Sequence, residues 1–108
     1  MKYMMLVCAE EDVQVMPEEA SAEAWVEETD GRGVRKLGSR LRPVSDATTV
    51  RLRNGEVVLS DGPFAETKEQ IAGFDVLECA DLDEAIEVAS KHPVARYGAI
   101  EVRPFWEE

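Results

Sequence analysis

Residues 61–70 read DGPFAETKEQ, which places three carboxylates (Asp61, Glu66 and Glu69) and Lys68 within nine positions, beside a Gly-Pro turn. A carboxylate held near an ammonium group suits general acid–base catalysis, because one group can take a proton while the other steadies the charge that develops. Asp61, Glu66 and Lys68 are therefore the candidate catalytic residues, for proton abstraction, elimination or isomerisation in a partly dry cleft. Gly62, Pro63, Phe64, Glu69 and Arg51 are the candidate ligand-binding residues around them. Gly62 before Pro63 favours an extended or turn backbone, and Thr67 with Gln70 three positions later has the spacing to cap a short helical turn. The segment is expected to hold one shape. The competing reading is a wet connector in which Asp61 and Thr67 satisfy backbone amides, Phe64 plugs the edge of the core, and Glu66, Lys68 and Glu69 are solvated.

The elements that would position this segment alternate between strand and helix. Tyr3 to Cys8 is apolar at every position, as expected of a central strand covered on both faces. Pro17 suits the first turn of a helix running to Thr29, with Ala22, Trp25, Val26 and Thr29 on the buried stripe and Glu18, Glu19, Glu23, Glu27 and Glu28 on the wet face. Met16 precedes it, so no side-chain N-cap is expected there. Val34 to Leu41 reads as a strand interrupted by Gly38. Asn54-Gly55 predicts a two-residue hairpin that pairs Arg53 with Glu56, Leu52 with Val57, Arg51 with Val58 and Val50 with Leu59. Its apolar face, Val50, Leu52, Val57 and Leu59, is expected to be half buried. Ile71 to Cys79 is a further strand. Asp81 and Glu84 have capping-box spacing for a second helix with Leu82, Ala85, Ile86 and Ala89 inward, stopped by Lys91-His92-Pro93, and Gly98 to Phe105 is the last strand.

The order β, α, β, hairpin, β, α, β is that of an α+β, ferredoxin-like split βαβ fold with an inserted β-hairpin, in a single domain spanning 1–108. Two helices cover one face of such a sheet. The other face, apolar along the first strand, is expected to meet a second copy in a homodimer built sheet to sheet; the alternative is a monomer whose hairpin or termini fold back over it.

Composition narrows the partners. The 12 Lys and Arg residues stand against 23 Asp and Glu, a net charge of −11 that repels phosphate backbones and anionic bilayers. Neither direct nucleic-acid binding nor membrane association is expected, and with no apolar run near 20 residues and no signal-like start the protein is expected to be cytoplasmic. Cys8 and Cys79 lie in apolar strands and are expected as reduced thiols, although two strand cysteines could be neighbours. One histidine and no Cys-x-x-Cys argue against a metal site, Asp81 and Asp83 serving as acids at a helix N-terminus, and no cofactor is expected. His92 is expected at a helix C-terminus, Arg51 and Arg103 in ion pairs with Glu56 or Glu101 unless they bind an anionic ligand, and Trp25, Phe105 and Trp106 as core or interface anchors.

The run DGPFAETKEQ, with ATTVR at 47–51 before it and AGF at 72–74 after it, resembles the signature of the DGPF proteins of the YCII-related family. The opening MKYMMLV, the Leu82-Asp83-Glu84-Ala85 helix start and the closing IEVRPFW are similar to the ends of that family, so the resemblance spans essentially the whole chain. It implies a dimeric α+β barrel, the scaffold of small monooxygenases, muconolactone isomerases and related lyases, and a link to extracytoplasmic-function sigma factors through neighbouring or fused genes. The short single-domain branch carries a histidine on the first helix and an aspartate near its end. This chain has no histidine on that helix, and Asp30 stands near the aspartate position. Two functions stay open: a module binding a small metabolite in a dimer-interface cleft near the DGPF segment, and a small cofactor-independent lyase or isomerase using that segment's carboxylates.

Overall fold

The computed structural model describes residues 1–13 and 21–107. Along the chain these form β1 (Lys2–Ala9), α1 (Glu23–Gly31), β2 (Arg35–Arg40), β3 (Thr48–Arg53), β4 (Glu56–Asp61), β5 (Gln70–Glu78), α2 (Leu82–Ser90) and β6 (Ala99–Pro104), with 3₁₀ turns at Val44–Asp46 and Pro93–Arg96. The expected helix start at Pro17, the cap position Met16, and Glu18 and Glu19 lie outside the described residues. No described helix is long and apolar enough to cross a membrane.

Four strands make one antiparallel sheet in the order β2-β5-β1-β6, and β3 and β4 pair only with each other. With the hairpin set aside, this is the strand order of a ferredoxin-like fold, and the chain is α+β as expected. Strand alternation decides the faces. Tyr3, Met5, Val7 and Ala9 of β1 and Leu77 of β5 point to the helices and pack with Trp25, Ala85, Val88 and Ala89. The intervening Met4, Leu6 and Cys8 point the other way, opposite Val76, Phe74 and Ile71 of β5. No described element covers that second face.

Local signals explain most elements. Asp81 accepts a hydrogen bond from the Glu84 amide at 2.9 Å while the Glu84 carboxylate accepts from the Ala80 amide at 2.7 Å, a reciprocal cap at the start of α2. Asn54 (φ 52°) and Gly55 (φ 78°) occupy the left-handed region that a tight hairpin turn requires, and all four expected cross-strand pairs form. The two helices are tied together by the Trp25 indole, whose Nε1–H donates to the Val88 carbonyl at 2.9 Å.

Several expectations are corrected. The hairpin is not half buried: Val50, Leu52, Val57 and Leu59 are each about 64–66% exposed, because β3 and β4 project from the main sheet instead of lying on it. They do not fold back over its open face. On α2, Leu82 and Ile86 are half exposed and Val88 joins Ala85 and Ala89 inside; two alanines let the helix approach the sheet closely, and the larger side chains lie along the flank. Trp106 (93% exposed) and Phe105 are not core residues. Both thiols are free, as expected. Cys8 pairs with Ile71, at the opposite end of β5 from Cys79, so roughly 25 Å of strand separates them.

Candidate functional site

The hairpin and the turn after it place the DGPF residues at one end of the molecule. Asp61 ends β4 opposite Thr48 and is exposed. Gly62 (φ 97°) turns the chain, its N–H donating to the Ala47 carbonyl at 2.7 Å while its own carbonyl accepts from the Thr49 hydroxyl at 2.8 Å. Residues 64–69 form bends instead of the expected helical turn. The Thr67 hydroxyl donates to the Glu69 carbonyl at 2.6 Å, and the Gln70 amide donates to the Ala65 and Thr67 carbonyls at 3.1 Å. These polar side chains satisfy the backbone directly and hold the turn. Phe64 is 79% exposed and does not plug the core.

Pro63, Glu66 and Lys68 come together around a small pocket of about 290 Å³ with Glu11, Asp12 and Val44; Asp61, Gly62, Phe64, Glu69 and Arg51 are not among its lining residues. Lys68 bridges to Glu10 at 3.3 Å, and Glu11 accepts from the Val44 amide at 2.8 Å. The end of β1 is thereby fastened to both the DGPF turn and the 3₁₀ turn at Val44. Half-buried Arg51 lies opposite Val58, and Arg53 is the residue opposite Glu56. Arg103 is paired with Glu101.

Glu10 and Glu11 also border a larger groove of about 900 Å³ between α1, the 3₁₀ turn at Pro93–Arg96 and the helix-side face of the sheet. Its floor carries a buried ion pair. Asp75 on β5 is 6% exposed and accepts from the Arg35 Nε–H at 2.8 Å, and a second Arg35 nitrogen reaches Asp30 at 3.2 Å. Gly38, the register partner of Asp75 on β2, makes this possible, since a Cβ there would stand 2.0 Å from Asp75 Oδ1. The glycine that interrupts the strand pattern is the seat of the carboxylate. Arg35 engages one carboxylate oxygen. The other, Oδ2, has no hydrogen-bond partner among the described residues, and it is not sealed off from the groove. Burial raises the Asp75 carboxyl above its ordinary range, outweighing the hydrogen bond and charge of Arg35.

His92 meets the groove from the opposite side and is also 6% exposed. Its backbone N–H donates to the Ala89 carbonyl at the end of α2, but its side chain does not serve that helix as expected. Nδ1 instead accepts from the Val94 amide at 3.1 Å, capping the next 3₁₀ turn, and the ring stands edge-on to Trp25 with centroids 4.9 Å apart. An accepting Nδ1 leaves the proton of the neutral ring on Nε2. Nε2 has no partner among the described residues. Burial lowers the imidazole from 6.5 to about 4, so it is neutral at pH 7 and a hydrogen-bond donor.

Sequence reading did not place Arg35 and Asp75 in a site. They are forty residues apart and meet only because β2 pairs with β5. Gly38 was the one local signal. Among the described lining residues, Glu10, Glu11, Glu23, Glu27 and Asp75 stand against Arg35 and Arg40. The groove therefore opposes anionic ligands. Among the described residues, no three His, Cys, Asp or Glu side chains converge to hold a metal ion.

Comparison with known proteins gives a consistent result. The model of the YCII-related domain matches residues 1–108. An uncharacterised protein of Rhizobium meliloti (strain 1021) is 41% identical, over a stretch covering 81% of this chain and 84% of the relative.

Proposed function

This chain belongs to the YCII-related family, and on that premise we propose that it is a homodimeric domain that binds a small uncharged or cationic metabolite in the groove between Asp75 and His92. One observation carries the reading: two residues, each 6% exposed, line the same groove, one with an acceptor and the other with a donor that has no partner among the described residues. Neither atom is sealed from the groove, so whatever enters it, water or ligand, can complete their hydrogen bonding. The DGPF turn has a supporting role, because Lys68 holds Glu10 at the groove's border and Pro63 and Glu66 wall the adjoining pocket. The sheet-to-sheet dimer is supported by the face that no described element covers, which carries half-buried Met4, Leu6, Phe74 and Val76 and is continued by Leu37 (59% exposed) and Ile71 (42% exposed).

A thermal-shift screen of amines, polyols, neutral ketones and carboxylic acids tests the binding. Saturation at 100 times Kd stabilises a folded protein by about 2.7 kcal/mol, which is readily read as a rise in melting temperature. Hits are expected among the uncharged and cationic compounds and are expected to weaken at least tenfold in Asp75→Asn, which keeps the acceptor for Arg35 and removes the charge. Hits confined to carboxylates and phosphates, or unaffected by the variant, would move the binding site elsewhere.

A further inference from the structure

We propose that the groove is a proton-transfer site for small uncharged carbonyl compounds, in which Asp75 withdraws a proton from the carbon beside the carbonyl while the His92 Nε2–H holds the carbonyl oxygen. This deepens the binding reading above and rests on it.

The two free atoms have opposite hydrogen-bonding character. When Asp75 is ionised its Oδ2 can only accept, and the His92 Nε2–H can only donate. A carbonyl oxygen needs a donor, and the C–H beside it is the proton that a carboxylate can remove. Asp75 lies on β5 and His92 begins the turn that packs on β6 and β1. β1 separates β5 from β6, so the two residues reach the groove from different parts of the sheet layer, and its volume of about 900 Å³ admits a small molecule between them. Both side chains are held in place. Arg35 anchors one oxygen of Asp75 over Gly38, and Trp25 and the Val94 amide fix the plane of His92. The excess of lining carboxylates over guanidinium groups disfavours keto acids and sugar phosphates and leaves uncharged ketones and hydroxyketones.

The step balances without a co-reactant. The α C–H bond breaks and its proton passes to Asp75 Oδ2; its electron pair forms the C=C bond, while the C=O π pair moves onto oxygen, where the Nε2–H hydrogen bond stabilises it. Replacement of the Asp75 proton by a solvent deuteron before its return to the same carbon gives exchange; in a hydroxyketone, transfer of the hydroxyl proton to the other oxygen, followed by protonation of the neighbouring carbon, gives the isomer. A neutral imidazole suits this role because it donates a hydrogen bond without adding a second titrating charge, and a carboxyl raised by burial is a better proton acceptor than an exposed one.

The test uses hydroxyacetone, dihydroxyacetone and cyclopentanone with the full chain in D₂O. Loss of the α-proton signal in ¹H NMR measures exchange, and saturation transfer from protein to probe measures binding. Wild type is expected to exchange at least one probe tenfold or more faster than buffer, with the rate rising as a single carboxyl ionises. Asp75→Asn is expected to fall to the buffer rate. His92→Asn, which keeps an acceptor for the Val94 amide and loses the aromatic N–H, is expected to slow exchange at least tenfold while still binding. A probe that receives saturation yet exchanges at the buffer rate overturns proton transfer and leaves the binding reading standing. So does exchange that Asp75→Asn leaves unchanged. No saturation transfer to any of the three overturns the carbonyl class, and failure of the wider thermal-shift screen as well overturns the binding reading beneath it.

Discussion

Lowering the pH from 7 to 4 is expected to remove about 3 kcal/mol of folding stability through His92 alone. The buried ring has a folded pKa of about 4 against 6.5 for the free side chain, so over this window the unfolded chain binds a proton that the folded chain refuses. Stability from this group is fully present above 6.5 and is lost as pH falls toward and through 4. The structural reason is specific: protonating Nδ1 replaces the acceptor of the Val94 amide with a second N–H and charges a ring that is buried against Trp25. Asp75 has the opposite sign. Its folded pKa is raised, so its contribution is present below the ordinary carboxylate range and is lost as pH rises through the raised value, which flattens the wild-type curve. His92→Asn separates the two, since it keeps an acceptor at the cap and does not titrate. Urea unfolding at pH 7, 5.5 and 4 should show wild type losing about 3 kcal/mol more than the variant. Equal losses would mean that the ring is not held neutral by burial. Small domains have about 5–15 kcal/mol in all, so the effect is large.

The second prediction concerns the uncovered sheet face. Leu6 lies on β1 between Phe74 of β5 and Glu101 of β6, its side chain on the face opposite the helices. In the proposed homodimer it enters the interface twice, once from each protomer. Fully burying an exposed leucine is worth about 1.5–3 kcal/mol and Leu6 is already half buried in the protomer, but Leu6→Glu also places two carboxylates in the interface, so it is expected to weaken association by about 3 kcal/mol or more, at least a hundredfold in Kd. The monomer should keep its fold, because the glutamate points away from the core formed by Tyr3, Met5 and Leu77. Sedimentation equilibrium at micromolar concentration reads the change and far-UV circular dichroism checks the fold. A wild type that sediments as a monomer, or a Leu6→Glu chain that remains a dimer, would remove the dimer from the account.

Much of the scaffold was legible because its signals are local. Asn54-Gly55 specifies the hairpin register residue by residue, and Asp81 with Glu84 marks the start of α2. The strands over 2–9, 70–78 and 99–104 follow from short apolar or alternating runs. What was not legible depends on contacts across the fold. Periodicity offers Leu82 and Ile86 as readily as Val88 for the inward stripe of α2, and only the distance between helix and sheet decides in favour of the smaller set. The hairpin's apolar face looked half buried because alternation reveals a face without revealing what covers it. The candidate site was only partly visible. The charged DGPF cluster draws the eye, and its Pro63, Glu66 and Lys68 do share a pocket, but the buried acid and imidazole lie elsewhere. Asp75 is one acid in an apolar strand, and His92 reads as a helix stop until the turn after it is seen to face the groove.

The central claim is that the groove offers a ligand one free carboxylate oxygen and one neutral imidazole N–H. Long-range ¹H–¹⁵N correlation of the single histidine tests it most directly, recorded at pH 7 with and without a compound that raises the melting temperature. We expect a neutral ring protonated at Nε2 and bare at Nδ1, with the Nε2 resonance moving when the compound is added. A ring protonated at Nδ1, a doubly protonated ring, or an Nε2 signal indifferent to a compound that stabilises the fold would contradict the assignment of this groove as the binding site.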